Sequence, residues 1–205
     1  FNPLENVGVY SNDASLLLPT NALGKKYIVM SWPTIGQNSA NQMLSSNFTV
    51  VAAEAGGTKV KIVPTAKTLA GNGLASIAAG QVWETTLEQY EVLNIEGAAV
   101  YSDLTGTTID ADKKVAVFGG NVCAMAPMST CKASKCSYDP TVSCSTQDDC
   151  PPIAACDHVE EQLQPLAAWG DHYIVAKTQP RGKSTDIIRI LAAQDDTTVT
   201  VDPPL

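Results

Sequence analysis

A chain of 205 residues with 44% hydrophobic content can bury a sizeable core, as one large domain or two small ones. Its net charge of −8 and pI near 4.6 argue against nucleic acid or an anionic membrane as partner, since both demand a basic face. No apolar run approaches the roughly 18 residues that span a bilayer, so no membrane-spanning segment is expected.

In chain order, the opening FNPLENVGVYSND lacks an initiating Met and a basic n-region, and reads as a mature or excised terminus. Asn47-Phe48-Thr49 is a glycosylation sequon if the source is eukaryotic. Residues 48–64, FTVVAAEAGGTKVKIVP, place a Gly-Gly turn between two β-type runs. In the return run Val60 and Ile62 alternate with Lys59 and Lys61. The pattern predicts a hairpin with one buried face. Residues 81–97, QVWETTLEQYEVLNIEG, mix aromatic and β-branched residues with Glu and Thr, and residues 105–121, TGTTIDADKKVAVFGGN, read as a turn followed by a strand. The one helix-like stretch, LASIAAG near residue 77, is too short to count. The expected fold is all-β, built of β-sandwich-like units.

The six cysteines, Cys123, Cys131, Cys136, Cys144, Cys150 and Cys156, all fall in one window. Zinc sites pair their ligands as C-x2-4-C, whereas the successive gaps here are x7, x4, x7, x5 and x5. An even count in a loop rich in Ser, Asp and Pro fits three disulfides in an oxidising compartment better.

An internal repeat follows from comparing the two ends. LLPTNALGKKYIV (17–29) recurs as LQPLAAWGDHYIV (163–175), with Pro19 and Pro165, Gly24 and Gly170, and Tyr27 and Tyr173 all 146 apart. VAAEAGGTKVKIVP (51–64) matches LAAQDDTTVTVDP (191–203), with Ala52 and Ala192 offset by 140 and Val60 and Val199 by 139. The falling offset places length changes in loops, where a duplicated fold tolerates them. The expected division is a first β unit, 1–158, including a disulfide-rich loop over 123–156, and a second, repeated and incomplete unit, 159–205. A sheet cut there would expose unpaired strand edges.

The densest chemistry lies in CDHVEEQL, residues 156–163. A zinc or acid/base site would use His158 with Glu161, spaced H-x-x-E, with Asp157 or His172. The chain has only two histidines, while a catalytic zinc site needs three protein ligands and an open position. A structural role for His158, satisfying local backbone groups, fits better. There is no G-x-S-x-G elbow, P-loop or dinucleotide fingerprint. Asp103, Asp110 and Asp112 lie around a turn and Asp148 and Asp149 in the cysteine loop, candidates for calcium without the EF-hand spacing; Trp32, Trp83 and Trp169 are candidates for a binding platform, although Trp83 and Trp169 read better as core or interface anchors. No catalytic, cofactor-binding or metal-binding residue is assigned.

Taken together, SNDASLLLP (11–19), LGKKYIVMSWP (23–33), FTVVAAEAGGTKVKIVPT (48–65), QYEVLNI (89–95), DLTGTTIDADKKVAVFGGNVC (103–123) and CDHVEEQLQPLAAWGDHYIVA (156–176) resemble the N-terminal domain family of the IgG Fc-binding protein, in its bacterial secreted or surface type. The resemblance implies an extracellular, β-rich, non-enzymatic module. It also implies a disulfide between Cys123 and Cys156, leaving Cys131, Cys136, Cys144 and Cys150 to form two further pairs of open connectivity. Such a bridge closes a loop of about 34 residues, worth about 3.8 kcal/mol by chain entropy. The loop is enlarged relative to the family pattern, and reads equally as a recognition surface, which long structured loops on rigid scaffolds often carry, or as a protease-resistant surface insertion with no partner.

The expected function is a secreted or cell-surface binding and adhesion module acting by protein contact, without a cofactor. The alternatives are self-association into an extracellular fibre, and a carbohydrate-binding or carbohydrate-active protein with a glycan partner. The cysteine reading has a direct check: the intact mass without reductant should fall short of the sequence mass by six hydrogens, and six alkylatable thiols would contradict it.

Overall fold

The computed structural model describes residues 13–36, 43–125, 131–137, 141–146, 149–150, 156–176, 179 and 186–202. The chain divides into two compact units, Phe1–Trp169 and Gly170–Leu205. Regular strands, among the described residues, belong to the first: β1 Gly24–Ile28, β2 Ser46–Ala52, β3 Thr58–Val63, β4 Trp83–Leu87, β5 Val92–Glu96, β6 Thr108–Ala124, β7 Cys131–Lys132, β8 Lys135–Cys136 and β9 Asp157–Gln162. The fold is all-β, as the alternating patterns predicted. Because β9 joins the first unit's sheet, that unit runs on past the division drawn at 158/159 from sequence.

β6 organises the sheet. Its 17 residues reach about 55 Å at full extension, long enough for two strands to lie end to end along each flank. Ile109 pairs with Tyr27 of β1 on one side and Ile62 of β3 on the other. Val115 pairs with both Gly24 of β1 and Ala52 of β2. Further along, Phe118 pairs with Thr49 of β2 and Gln162 of β9. Hence β2 and β3 occupy one flank in line, and β1 and β9 the other. β5 and β4 extend the first flank outward by pairing with β2 and β3. All these pairings are antiparallel.

This corrects one expectation. Residues 48–64 are not a hairpin: β2 and β3 both pair antiparallel to β6 and therefore run parallel to each other. The chain at 53–57 arches from one stretch of β6 to the next, with Gly56 in the left-handed region at φ 70°. The alternation itself held, with Val60 and Ile62 buried and Lys59 and Lys61 exposed. Along β2, Phe48, Val50 and Ala52 point inward, and along β6, Ile109, Ala111, Val115 and Val117 do so. With Tyr27, Leu87 and Ile95 from β1, β4 and β5 they form one core. Each large apolar side chain buried there contributes about 1.5–3 kcal/mol.

Two features fix the ends of β1. A single turn of 3-10 helix, Thr20–Ala22, follows Pro19 and is closed by Ala22 N–H donating to Pro19 O at 2.8 Å. The Tyr27 hydroxyl then accepts from Gly24 N–H at 2.8 Å and donates to Val115 O at 2.7 Å. One buried phenol thus ties the entry of β1 to the middle of β6, and burial pushes its pKa up. Asn47 lies mid-strand, paired with both Gly120 and Glu96, and its amide donates to Ser45 O at 3.4 Å.

Where β6 is most crowded it carries Gly119 and Gly120. A Cβ at Gly119 would collide with the Met30 carbonyl, and one at Gly120 with the Val159 carbonyl of β9. Both obstacles are main chain and cannot rotate away. Gly119→Ala should therefore lower stability by about 1–3 kcal/mol, read as an earlier urea midpoint with unchanged slope; an unaltered midpoint would show that the packing there yields.

Candidate functional site

The cysteine-rich segment is built on the far end of β6. Cys123, two residues from Asn121, is bonded to Cys156, which leads directly into β9. The bridge closes the base of the loop where its two ends are already neighbouring strands. Inside it, β7 and β8 pair Cys131 opposite Cys136 around a tight turn whose residues Ala133 and Ser134 have φ of 48° and 61°. Those two cysteines bond onward, Cys131 to Cys144 and Cys136 to Cys150. Main-chain bonds from Cys136 N–H to Val142 O and from Cys144 N–H to Ser134 O, both 3.1 Å, add a third layer.

The result is a miniature core of its own, in which Cys136, Cys144 and Cys150 are buried against Cys131 and Val142. The sulfurs of Cys136, Cys144 and Cys150 lie within 4.8 Å of one another, but as disulfides they offer no thiolate to a metal. Asp149 is occupied locally: its carboxylate accepts from Ser145 N–H at 2.7 Å and Thr146 N–H at 2.8 Å, which lowers its pKa. Lys132 and Lys135 are exposed, and Lys135 donates to Ser143 Oγ at 3.2 Å. Among the described residues the arrangement presents a covalently tied surface of mixed polarity.

The junction between this loop and the sheet is held by polar contacts that sequence reasoning only half identified. His158 is buried, with Nδ1 3.0 Å from Asn121 O and Nε2 3.3 Å from a Glu160 carboxylate oxygen. A strand turns alternate residues to one face, so His158 meets Glu160, whereas Glu161 points the other way and is exposed. An H-x-x-E pair cannot converge from a strand. Asp157 is exposed too, and His172 belongs to the second unit.

Asn121 was not singled out from sequence, yet it holds the junction together. Its amide donates to Trp32 O and Pro33 O, both at 2.9 Å, and its side-chain oxygen accepts from Cys123 N–H at 2.7 Å. Beside it, Ser31 Oγ donates to Gly120 O at 2.6 Å and lies 2.7 Å from Ser46 Oγ. Trp32 Nε1 donates to Met125 O at 2.7 Å. The outer edge of β9 is covered by residues 13–18: Asp13 and Ser15 side chains accept from Glu160 and Gln162 N–H at 2.6 and 2.7 Å. The signal available was the GGN run ahead of a cysteine, which is small and polar where a core strand should be apolar.

The remaining candidates have structural partners. Asp110 pairs with Lys26 at 3.3 Å, Asp112 accepts from Lys59 N–H at 2.9 Å, and Asp103 accepts from Thr105 N–H at 2.9 Å. Asp148 lies outside the described residues. Trp83 packs partly buried on the core, and Trp169 donates to Gln164 O at 3.1 Å. Among the described residues no helix is long and apolar enough to cross a membrane.

Comparison with known proteins agrees along nearly the whole chain. The profile of a family described as IgGFc binding protein matches residues 13–205. A human protein named IgGFc-binding protein is 28% identical over 182 residues, which are 89% of this chain and 3% of that protein. The chain thus spans only a small part of that relative's length. No solved structure matches.

The buried histidine makes the junction sensitive to pH. Its pKa is raised from the usual 6.5, first by the bond to Glu160, against the opposing effect of burial. A raised folded pKa means stability that is full below pH 6.5 and is lost as pH rises through the folded value. Urea unfolding should therefore show stability declining as pH rises above 6.5, and His158→Gln or Glu160→Gln should flatten that decline; an unchanged profile in both variants would exclude the pair as its source.

Proposed function

Because this chain belongs to the IgGFc binding protein family, we propose that it is a non-catalytic extracellular module that binds other proteins by contact, with the disulfide-tied loop as its recognition surface. The observation that carries this reading is the loop's construction. Three bridges and a private core make a preshaped surface on a strand-anchored base, and rigid surfaces lose little entropy when they bind. Disulfides throughout also suit a secreted or cell-surface location, where oxidation persists. What the human relative's name says it binds makes the Fc region of IgG the first probe to try, within a wider set of secreted proteins.

A non-catalytic role is supported by the side chains that chemistry would need. The buried imidazole is committed to Asn121 and Glu160, and the acidic turns bind their own backbone or a lysine. A test replaces residues 131–150 by a Gly/Ser linker, keeping Cys123 and Cys156. Surface-plasmon measurements against immobilised secreted proteins, Fc included, should show saturable binding by the native chain and at least tenfold weaker binding by the replaced one. Equal binding by both would remove the loop from the proposal, and hits confined to a glycan array would favour a lectin.

A further inference from the structure

Among its described residues, the second compact unit carries the inward pattern of the first without a strand that buries it. We infer that residues 170–176 and 186–202 are a second copy of the β1–β2–β3 layer, and that they take up an antiparallel β-strand of β6's kind. The occupant is a long strand, apolar at alternate positions, whose two edges pair with the copy's β1-like and β2/β3-like segments.

Local geometry supports the equivalence independently of the residue matches. Pro165 precedes a single 3-10 turn, Leu166–Ala168, as Pro19 precedes Thr20–Ala22. Ala168 N–H donates to Pro165 O at 2.8 Å, as Ala22 N–H does to Pro19 O. The Tyr173 hydroxyl accepts from Gly170 N–H at 3.0 Å, as Tyr27 does from Gly24 at 2.8 Å. In the arch after the second segment, Asp196 has φ of 59° where Gly56 has 70°. The two segments thus fold locally in the same way, with Pro165 of the second packed beside Gly24 of the first.

The difference lies in what covers them. Tyr27 is 1% exposed and donates to β6, whereas Tyr173 is 69% exposed. The core positions Val50 and Val60 are 0% and 1% exposed, and their counterparts Ile190 and Val199 are 61% and 51%. Val175, Ile188 and Val201 stand exposed where Val29, Phe48 and Ile62 are buried. At each of these positions the second copy keeps an apolar or aromatic side chain with an inward register, DIIRILAA over 186–193 and TTVTV over 197–201. Exposed apolar side chains in strand alternation mark a surface built to be covered. In the first copy the cover is the two flanks of β6, so strand addition is the mode that fits.

The test supplies the strand in cis. The full chain is extended by a flexible linker and a copy of residues 105–121, which contains the inward positions of β6 and no cysteine. Amide exchange at Tyr173, Ile174, Val175, Ile188 and Ile190 should slow at least tenfold relative to the unextended chain. Tyr173→Phe in the extended chain should restore part of the fast exchange, several-fold, because the buried hydroxyl loses its carbonyl acceptor; Tyr27→Phe should leave these amides unaffected. Exchange that ignores the added strand, or slows equally with a scrambled strand of the same composition, would overturn the inference. Protection in the unextended chain that grows with protein concentration would make a second copy of the chain the occupant, and would overturn it too. None of these outcomes bears on the disulfide-tied loop, so the two readings stand or fall separately.

Discussion

The first unit depends on one strand having its main chain paired on both edges along two stretches, residues 108–110 and 118–121. A buried peptide group left without a partner costs as much as several good contacts contribute, and β6 passes through the centre of the core. It is viable because four strands share its flanks, β3 and β2 on one side and β1 and β9 on the other. The inward residues of every neighbouring strand take their register from it. Even the glycines follow: Gly119 and Gly120 are where the Met30 and Val159 carbonyls press against the strand.

The cysteine-rich loop is anchored to the same strand. Cys123 stands near the end of β6 and Cys156 just before β9, so the bridge joins two strands that hydrogen bonding already holds together. A disulfide placed there stiffens the base of the loop, and the two inner bridges then replace an apolar core too small to form otherwise. Asn121 and His158 satisfy the polar groups exposed where the β6–β9 register shifts. The sheet supplies position, the bridges supply shape, and recognition is proposed to lie on what they present.

Strand faces were legible in the sequence because period-two alternation is a local property. Val60 and Ile62 against Lys59 and Lys61 could be read without knowing any partner. Partners were not legible. Residues 48–64 suggested a hairpin because the two runs are adjacent in sequence and separated by Gly-Gly, yet each satisfies its backbone on β6, about 70 residues downstream for Phe48 with Gly119 and about 50 for Ile62 with Ile109. The octapeptide CDHVEEQL illustrates the same limit at a site. Its chemistry suggested His158 with Glu161, but only the strand conformation decides that His158 shares a face with Glu160. Asn121 escaped notice because its role lies in contacts with Trp32 and Pro33, roughly 90 residues away.

Native-state hydrogen exchange on the intact chain tests the central place of β6 most directly. Amides of residues 118–121, paired on both flanks, should exchange only through global unfolding, with a free energy equal to that from urea denaturation. Exchange of those amides through local opening, at a free energy lower by about 2 kcal/mol or more, would contradict the assignment of β6 as the strand on which the unit is built.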